Sequence, residues 1–574
     1  MSQQPLPDPA SLQRLQHASM RMVEDMLAHL PQARAGLGEF LLALAAHPQR
    51  VAEVNARHYS ARLALWSGLM NQPAPAEAAR EMPATAPDRR FRADEWKDIA
   101  FFRFLRESYE ADARWVLELI DALQLPPDLA QRARFLGKQF VAAIAPTNQI
   151  ATNPEAIRRA FATGGASLGA GLRNLEGDLE RGAISMSDGR AFEVGRNIAA
   201  TPGAVVFENS IMQLIEYAPV TEEVHARPLL IVPPFINKYY VLDLQPHNSF
   251  VRFALEQGQR VFLISWRNAG ADLLQATWDD YARDGVHRAL QAALEISRSR
   301  RVNALGFCVG GTLLASALAV MERPERVSSI TLLACLLDFS DVGEIGVFVD
   351  DDYVAACERE FASGGLMPGA RIAGAFASLR PDELVWFFVV NNYLKGQDPA
   401  PFDLLYWNSD SADVPGRLYA WYLRRMYRDN ALREPGRLTV CGRPVDLHAL
   451  RMPAYILATK EDHIVPWRSA QASARLLAGT IECVLGASGH VAGVIAPPHA
   501  RRGYWTNATA SANPDEWLRH AQRHDGSWWE HWAAWIAPRS GAGKAAPGTA
   551  GSDAYSMIEP APGRFVRERS VPAQ

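Results

Sequence analysis

A cysteine at position 308 sits among glycines in the run Gly306-Phe307-Cys308-Val309-Gly310-Gly311. An apolar stretch, Val302 to Leu305, precedes it, and a helix-forming stretch, Thr312 to Met321, follows. Strand, sharp turn and helix in that order hold a nucleophile at the apex of the turn, where neighbouring glycines keep Cβ atoms out of the way. A thiolate is both a good nucleophile and a good leaving group. A serine here would trap an acyl group as an oxyester, which suits hydrolysis. A cysteine holds it as a thioester, still activated for transfer to another acceptor. The residue type therefore points to acyl transfer that conserves thioester energy.

Such a nucleophile needs a base and an acid, in the chain order nucleophile, acid, histidine. Two later apolar runs end in suitable residues. Ala454 to Ala458 leads into Thr459-Lys460-Glu461-Asp462-His463, and Ile481 to Leu485 leads into Gly486-Ala487-Ser488-Gly489-His490. Cys308, Asp462 and His490 are the expected triad, with Glu461 the rival acid. His463, the rival base, is expected to be a supporting residue. The oxyanion donors are expected to be the backbone N–H of Val309 and one from the loop Pro233-Pro234-Phe235-Ile236. The prolines have no N–H, which leaves Ile236 or Phe235. Cys335, Cys357, Cys441 and Cys483 are expected to be inert buried thiols.

The elements that must position these residues follow from the pattern. From about 226 short apolar runs alternate with helical stretches: Leu229 to Val232, Arg260 to Trp266, a helix opened by the capping box at Thr277 and reaching about Arg298, Val302 to Gly306, and Val327 to Leu333. This predicts an α/β fold with a parallel sheet covered on both faces. Residues 1–195 read as a mostly helical N-terminal domain. Leu12, Leu15, Met22, Met26 and Leu30 fall at helical spacing, and Asn153-Pro154-Glu155 makes a helix start. Residues 196–574 are expected to form the catalytic domain. The alternation stops over 339–449, which predicts an inserted cap. That stretch holds 16 Phe, Trp and Tyr in 111 residues, against 9% aromatic in the whole chain. The excess predicts either a subdomain core or a cover that keeps water from a thioester, with Trp386, Phe387 and Phe388 as candidates. Stretches 72–87 and 541–551 read as linkers.

Composition excludes several classes. A net charge of -4 gives no bulk attraction to nucleic acid. Five cysteines without CxxC spacing argue against a disulfide framework or a zinc site and fit a reducing cytoplasm. No signal peptide is read at Met1 to Pro5, and no apolar run spans a bilayer. No metal is expected.

With the elbow, the strand exits and several further segments in view, the chain resembles the class I polyhydroxyalkanoate synthases, bacterial enzymes that polymerise (R)-3-hydroxyacyl-CoA into storage polyester. The similar segments include Pro233 to Tyr240, Asp243 to Pro246, Ser265 to Asn268, Gly306 to Gly311, Asn391 to Lys395, Pro401 to Asn408, Glu461 to Trp467, Gly486 to His490, Gly526 to Trp529 and Glu559 to Gly563. They run from roughly 150 onward. The resemblance implies an α/β-hydrolase fold with an inserted cap behind a helical domain, and the same triad of Cys308, Asp462 and His490. It implies short-chain substrates, (R)-3-hydroxybutyryl-CoA first, and a growing polyester chain as acceptor. Coenzyme A is then part of the substrate and a product, and no cofactor is needed. It further implies a homodimer in the cytoplasm at the granule surface, near granule-associated proteins. Asp243 and Trp407 lie in similar segments and are candidates for supporting the site or the dimer, or for ordinary packing. Phe235 departs from the family, some members of which carry cysteine there. The rival reading is a thioesterase or polyester depolymerase with a cysteine nucleophile.

Overall fold

The computed structural model describes residues 37–70, 88–507 and 513–570. The expected first helix, with Leu12 to Leu30, and the 72–87 linker lie outside them. The chain divides into two compact units, 1–188 with 374–400, and 189–373 with 401–574.

The first unit is helical, with helices including Pro48–Leu69, Ala100–Ala122, Pro127–Ala143, Pro154–Ala162 and Ala166–Arg181. Asn153 caps Pro154–Ala162 by accepting from the Ala156 N–H at 3.0 Å, as its sequence position predicts. The segment 374–400, expected in the cap, packs with these helices instead. Gln139 Nε2 donates to the Ser378 carbonyl at 2.7 Å, and the Tyr393 hydroxyl donates to Asp178 Oδ2 at 2.6 Å. A Cβ at Gly171 would stand 1.8 Å from the Tyr393 carbonyl oxygen, so only glycine lets the two backbones meet. Trp386 is buried among Ala142, Leu175, Val389 and Tyr393, and Phe387 is exposed. These rings are therefore core and surface of the helical unit.

The second unit carries an eleven-stranded sheet. Its strands are β1 (Gly203–Glu208), β2 (Met212–Tyr217), β3 (Leu229–Val232), β4 (Val261–Trp266), β5 (Val302–Phe307), β6 (Val327–Leu333), β7 (Ala454–Thr459), β8 (Ile481–Gly486), β9 (Tyr504–Thr506), β10 (Gln522–His524) and β11 (Glu559–Pro560). The order is β10-β9-β8-β7-β6-β5-β3-β4-β2-β1-β11. The six strands from β4 to β8 are parallel; the outer strands are antiparallel. Leu229 to Val232 are all fully buried, as an apolar run without polar alternation requires when helices cover both faces. Val232 pairs with Gly306, Phe307 with Leu333, and Thr459 with Gly486. That register brings the ends of the parallel strands to one edge, where such sheets build their sites.

The capping box at Thr277 forms, with Asp280 Oδ2 accepting from the Thr277 N–H at 2.8 Å. The helical run it opens passes through a π segment, Tyr281–His287, before Arg288–Ser297. The 541–551 stretch is no linker: Gly543–Ala545 pairs antiparallel with Glu223–His225. Among the described residues no helix is long and apolar enough to cross a membrane, and no group of His, Cys, Asp and Glu could hold a metal ion.

Candidate active site

Cys308 stands between β5 and the helix Val309–Ala319, with φ 52° and ψ -130°. That conformation is costly for a residue with a Cβ and survives only where its surroundings impose it. Here the Cys308 N–H donates to the Leu333 carbonyl at 2.9 Å, and the glycines pack without space. A Cβ on Gly306 would lie 2.4 Å from Gly311 Cα, and one on Gly310 would lie 2.4 Å from the Val232 carbonyl oxygen and 2.5 Å from that of Pro233. The elbow glycines are therefore required by close approach. Gly310→Ala is expected to destabilise the sheet-bearing unit by about 3 kcal/mol, the upper part of the overpacking range. Gly374→Ala, where a Cβ meets nothing within 4 Å, should leave stability nearly unchanged. Thermal unfolding of the two variants beside the parent checks this, and equal shifts would contradict it.

The structure brings Cys308, His490 and Asp462 together. His490 opens the short helix His490–Val494 after β8. Its Nδ1 lies 2.7 Å from Asp462 Oδ2, and its ring stacks on Phe307, the residue before Cys308, at 5.5 Å. Asp462 is fully occupied: Oδ1 accepts from the N–H groups of Ile464 at 2.9 Å and Val465 at 2.8 Å, and Oδ2 also accepts from Thr459 Oγ1 at 2.9 Å. Burial alone would raise the Asp462 carboxyl. The His490 ring and the two backbone N–H bonds outweigh it and hold the carboxyl below its ordinary range. Burial alone would lower His490. The charge of Asp462, the neighbouring Cys308 and the hydrogen bond to Asp462 raise it well above the ordinary imidazole value. The two strand-exit loops are tied together by the Glu461 N–H donating to the Ser488 carbonyl at 2.9 Å.

The rivals fall elsewhere. Glu461 is exposed. His463 is half-buried in the same turn, but the imidazole on the Asp462 carboxylate is that of His490. Val309 opens the elbow helix, so its N–H belongs to the first turn, which has no intrahelical acceptor. The loop carrying Phe235 and Ile236 follows β3, and its Val232 and Pro233 carbonyls lie against Gly310. Trp266 Nε1 holds Pro233 from behind at 2.8 Å, and Trp407 Nε1 holds the Lys238 carbonyl at 2.7 Å. Phe235 is buried with its ring edge-on to Trp278 and Tyr281, and Ile236 is half-buried. Asp243 is buried, and its carboxylate serves Ser249 Oγ at 2.7 Å, Thr201 Oγ1 and the Tyr217 hydroxyl. Burial raises its carboxyl. It braces the scaffold through this separate network.

Two sets of residues near the site carry no motif in the sequence. Tyr422 and Tyr427, from the stretch after residue 400, have phenols raised first by burial; Tyr422 is raised next by Tyr427 and then by Cys308, and Tyr427 next by Cys308. Behind His490, the helix Trp528–Ile536 supplies three indole donors: Trp528 to the Gly493 carbonyl and Trp529 to that of Val494, both at 2.9 Å, and Trp532 to Thr331 Oγ1 at 3.0 Å. The run Gly526 to Trp529 was visible as a family-like segment. That it holds the histidine's helix could not be read from spacing.

Comparison with known proteins agrees with this architecture. Residues 87–254 match the model of the poly-beta-hydroxybutyrate polymerase (PhaC) N-terminus, and 227–497 match that of the alpha/beta hydrolase fold. The poly(3-hydroxyalkanoate) polymerase subunit PhaC of Cupriavidus necator is 49% identical over 531 residues, 91% of this chain and 89% of that protein. The subunit of the same name from Rhizobium etli is 39% identical, covering 91% of this chain and 84% of that protein. Among solved structures, the monoacylglycerol lipase of Paleococcus ferrophilus aligns over 57% of this chain at 12% identity with a TM-score of 0.33. At this level of identity and coverage with its relatives, the chain belongs to the poly(3-hydroxyalkanoate) polymerase family.

Proposed function

We propose that this chain polymerises (R)-3-hydroxyacyl-CoA, with short side chains such as 3-hydroxybutyryl, into polyhydroxyalkanoate, releasing coenzyme A through a thioester on Cys308. The observation that carries the reading is a cysteine at the elbow apex, next to the ring of Phe307 on which an imidazole stacks that is itself held by a buried carboxylate. His490 takes the Cys308 proton on the ring nitrogen facing away from Asp462. The thiolate adds to the thioester carbonyl, and the oxyanion sits against the Val309 N–H and one from Ile236 or Phe235. The carbon–sulfur bond to coenzyme A breaks, and the leaving thiolate receives the proton from His490. A 3-hydroxyl then gives its proton to His490 and attacks the acyl group on Cys308. An ester forms, and the cysteine sulfur leaves. Asp462 stabilises the imidazolium at each stage. The reaction needs no cofactor. A homodimer at the granule surface in the cytoplasm, with granule-associated proteins nearby, completes the proposal.

The test is incubation of the purified protein with (R)-3-hydroxybutyryl-CoA, following coenzyme A, insoluble polyester and free 3-hydroxybutyrate together. Coenzyme A should appear with polyester, free acid should be a minor product, and the (S)-substrate should be poor. Coenzyme A and free acid in equal amounts, with no polymer under any priming condition, would replace this reading with a thioesterase.

A further inference from the structure

The loop 233–238 leaves β3 with its first carbonyls pressed on Gly310 of the elbow helix. It ends at Lys238, a side chain that no step above uses. Lys238 is 3% exposed, and its Nζ donates to the carbonyl of Glu568, 330 residues further on, at 2.5 Å. Its own carbonyl accepts from Trp407 Nε1 at 2.7 Å. One residue earlier, Asn237 forms an antiparallel bridge with Ser411, and two residues later the Tyr240 hydroxyl donates to Asp410 Oδ2 at 2.8 Å. Three stretches far apart in sequence thus meet at Lys238.

The segment that receives the ammonium is itself fastened. Phe565 and Val566 are buried, and the Arg267 guanidinium lies 5.4 Å over the Phe565 ring. Asn268 Nδ2 donates to the Arg569 carbonyl at 3.4 Å, and Ser570 Oγ to Asp413 Oδ1 at 2.7 Å. Asp413 also accepts from the Gly369 N–H at 2.9 Å. Arg267 and Asn268 follow β4, the parallel neighbour of β3, so the anchor hangs from the same sheet as the loop. Burial lowers the Lys238 ammonium, and the charges of Asp410, Glu568 and Asp413 oppose this. A buried cation is costly, and an apolar side chain of similar length would fill the space without that cost. What the ammonium adds is the bond to Glu568, which fixes where the loop ends.

We propose that Lys238 is a positioning residue for acyl transfer, pinning the loop 233–238 between the elbow and the segment 565–570 so that the loop's N–H stays aimed at the thioester oxygen. The proposal rests on the reading that this loop supplies the second oxyanion donor. Such a donor works only where it is held, because a displacement of about 1 Å costs on the order of 10² in rate. Trp266 Nε1 holds the elbow end, on the Pro233 carbonyl at 2.8 Å. Lys238 holds the other end, and acts through the backbone between them.

The experiment forms the acyl-enzyme of the parent, Lys238→Met and Lys238→Gln from butyryl-CoA labelled with ¹³C at the carbonyl, which has no hydroxyl to extend a chain. Mass spectrometry locates the acyl group, and difference infrared spectra give the carbonyl stretch before and after unfolding in denaturant. The parent band should lie lower folded than unfolded, because donors aimed at the oxygen polarise the bond. In both variants most of that displacement should vanish. With (R)-3-hydroxybutyryl-CoA their kcat should fall on the order of tenfold or more, with KM changed less than about threefold. Glutamine is one atom shorter and misses the Glu568 carbonyl while keeping a polar end, so it carries the test if Lys238→Met melts early. A displaced parent band that both variants keep overturns the role of Lys238 alone, as does a lower melting temperature with band and kcat intact, which marks a packing role. A parent band that does not move on unfolding overturns the oxyanion reading beneath it, and a parent that places no acyl group on Cys308 overturns the proposed function.

Discussion

Cys308→Ala should abolish coenzyme A release altogether while the protein keeps its thermal transition, because the alanine removes the sulfur and leaves the close-packed glycines in place. Cys308→Ser should lose most activity as well. Its hydroxyl is a far weaker nucleophile at neutral pH, and its acyl-enzyme would be an oxyester without thioester activation. Radiolabelled substrate trapped by acid quench should place the acyl group on Cys308. Label on Cys335 would contradict the assignment, and the geometry gives a reason not to expect it. Cys335 is buried, its sulfur lies where a Cβ of Gly311 would be, and burial raises its thiol far above neutrality.

His490→Ala should cost on the order of 10³ or more in rate, the size of loss expected when a positioned base is removed from its nucleophile. His463→Ala, in the same strand-exit turn as Asp462, should cost far less. Steady-state coenzyme A release by the two variants decides the matter, and the reverse ranking would move the base to the other loop. Asp462 sharpens the contrast. With His490 gone, its carboxylate keeps the N–H bonds of Ile464 and Val465 and the Thr459 hydroxyl, so the acid stays in place and the loss reports the base.

The elbow and its two partners were legible because each rests on local chemistry: glycines that a turn demands, and polar residues just past apolar runs. What the sequence hid depends on distant partners. The segment 374–400 reads as part of one aromatic insertion, yet Ser378 and Tyr393 find Gln139 and Asp178 in the helical unit. Nothing in local composition encodes that choice. The 541–551 stretch reads as a linker because glycine and alanine carry no strand preference, and its pairing with Glu223–His225 comes from the partner strand. The outer strands β9, β10 and β11 are too short, at two or three residues, for any alternation to show. The π turn Leu423–Arg428, which follows the helix Gly416–Tyr422, is invisible for a related reason. Periodicity assumes a regular helix, and one wider turn moves Tyr427 to a face that regular spacing assigns to other residues.

The indoles behind His490 bear on how the enzyme comes into being on the ribosome. Synthesis runs from the amino end, so the elbow and its sheet neighbours β3 to β6 emerge well before the histidine, and the histidine before the helix Trp528–Ile536. Until that helix docks, the Gly493 and Val494 carbonyls lack the indole partners that hold the turn carrying His490. With the roles proposed above, a nascent chain carries its thiol without a positioned base. Cellular acyl-thioesters would meet an unactivated cysteine, and competence would arrive only when the last large helix of the sheet-bearing unit closes behind the histidine.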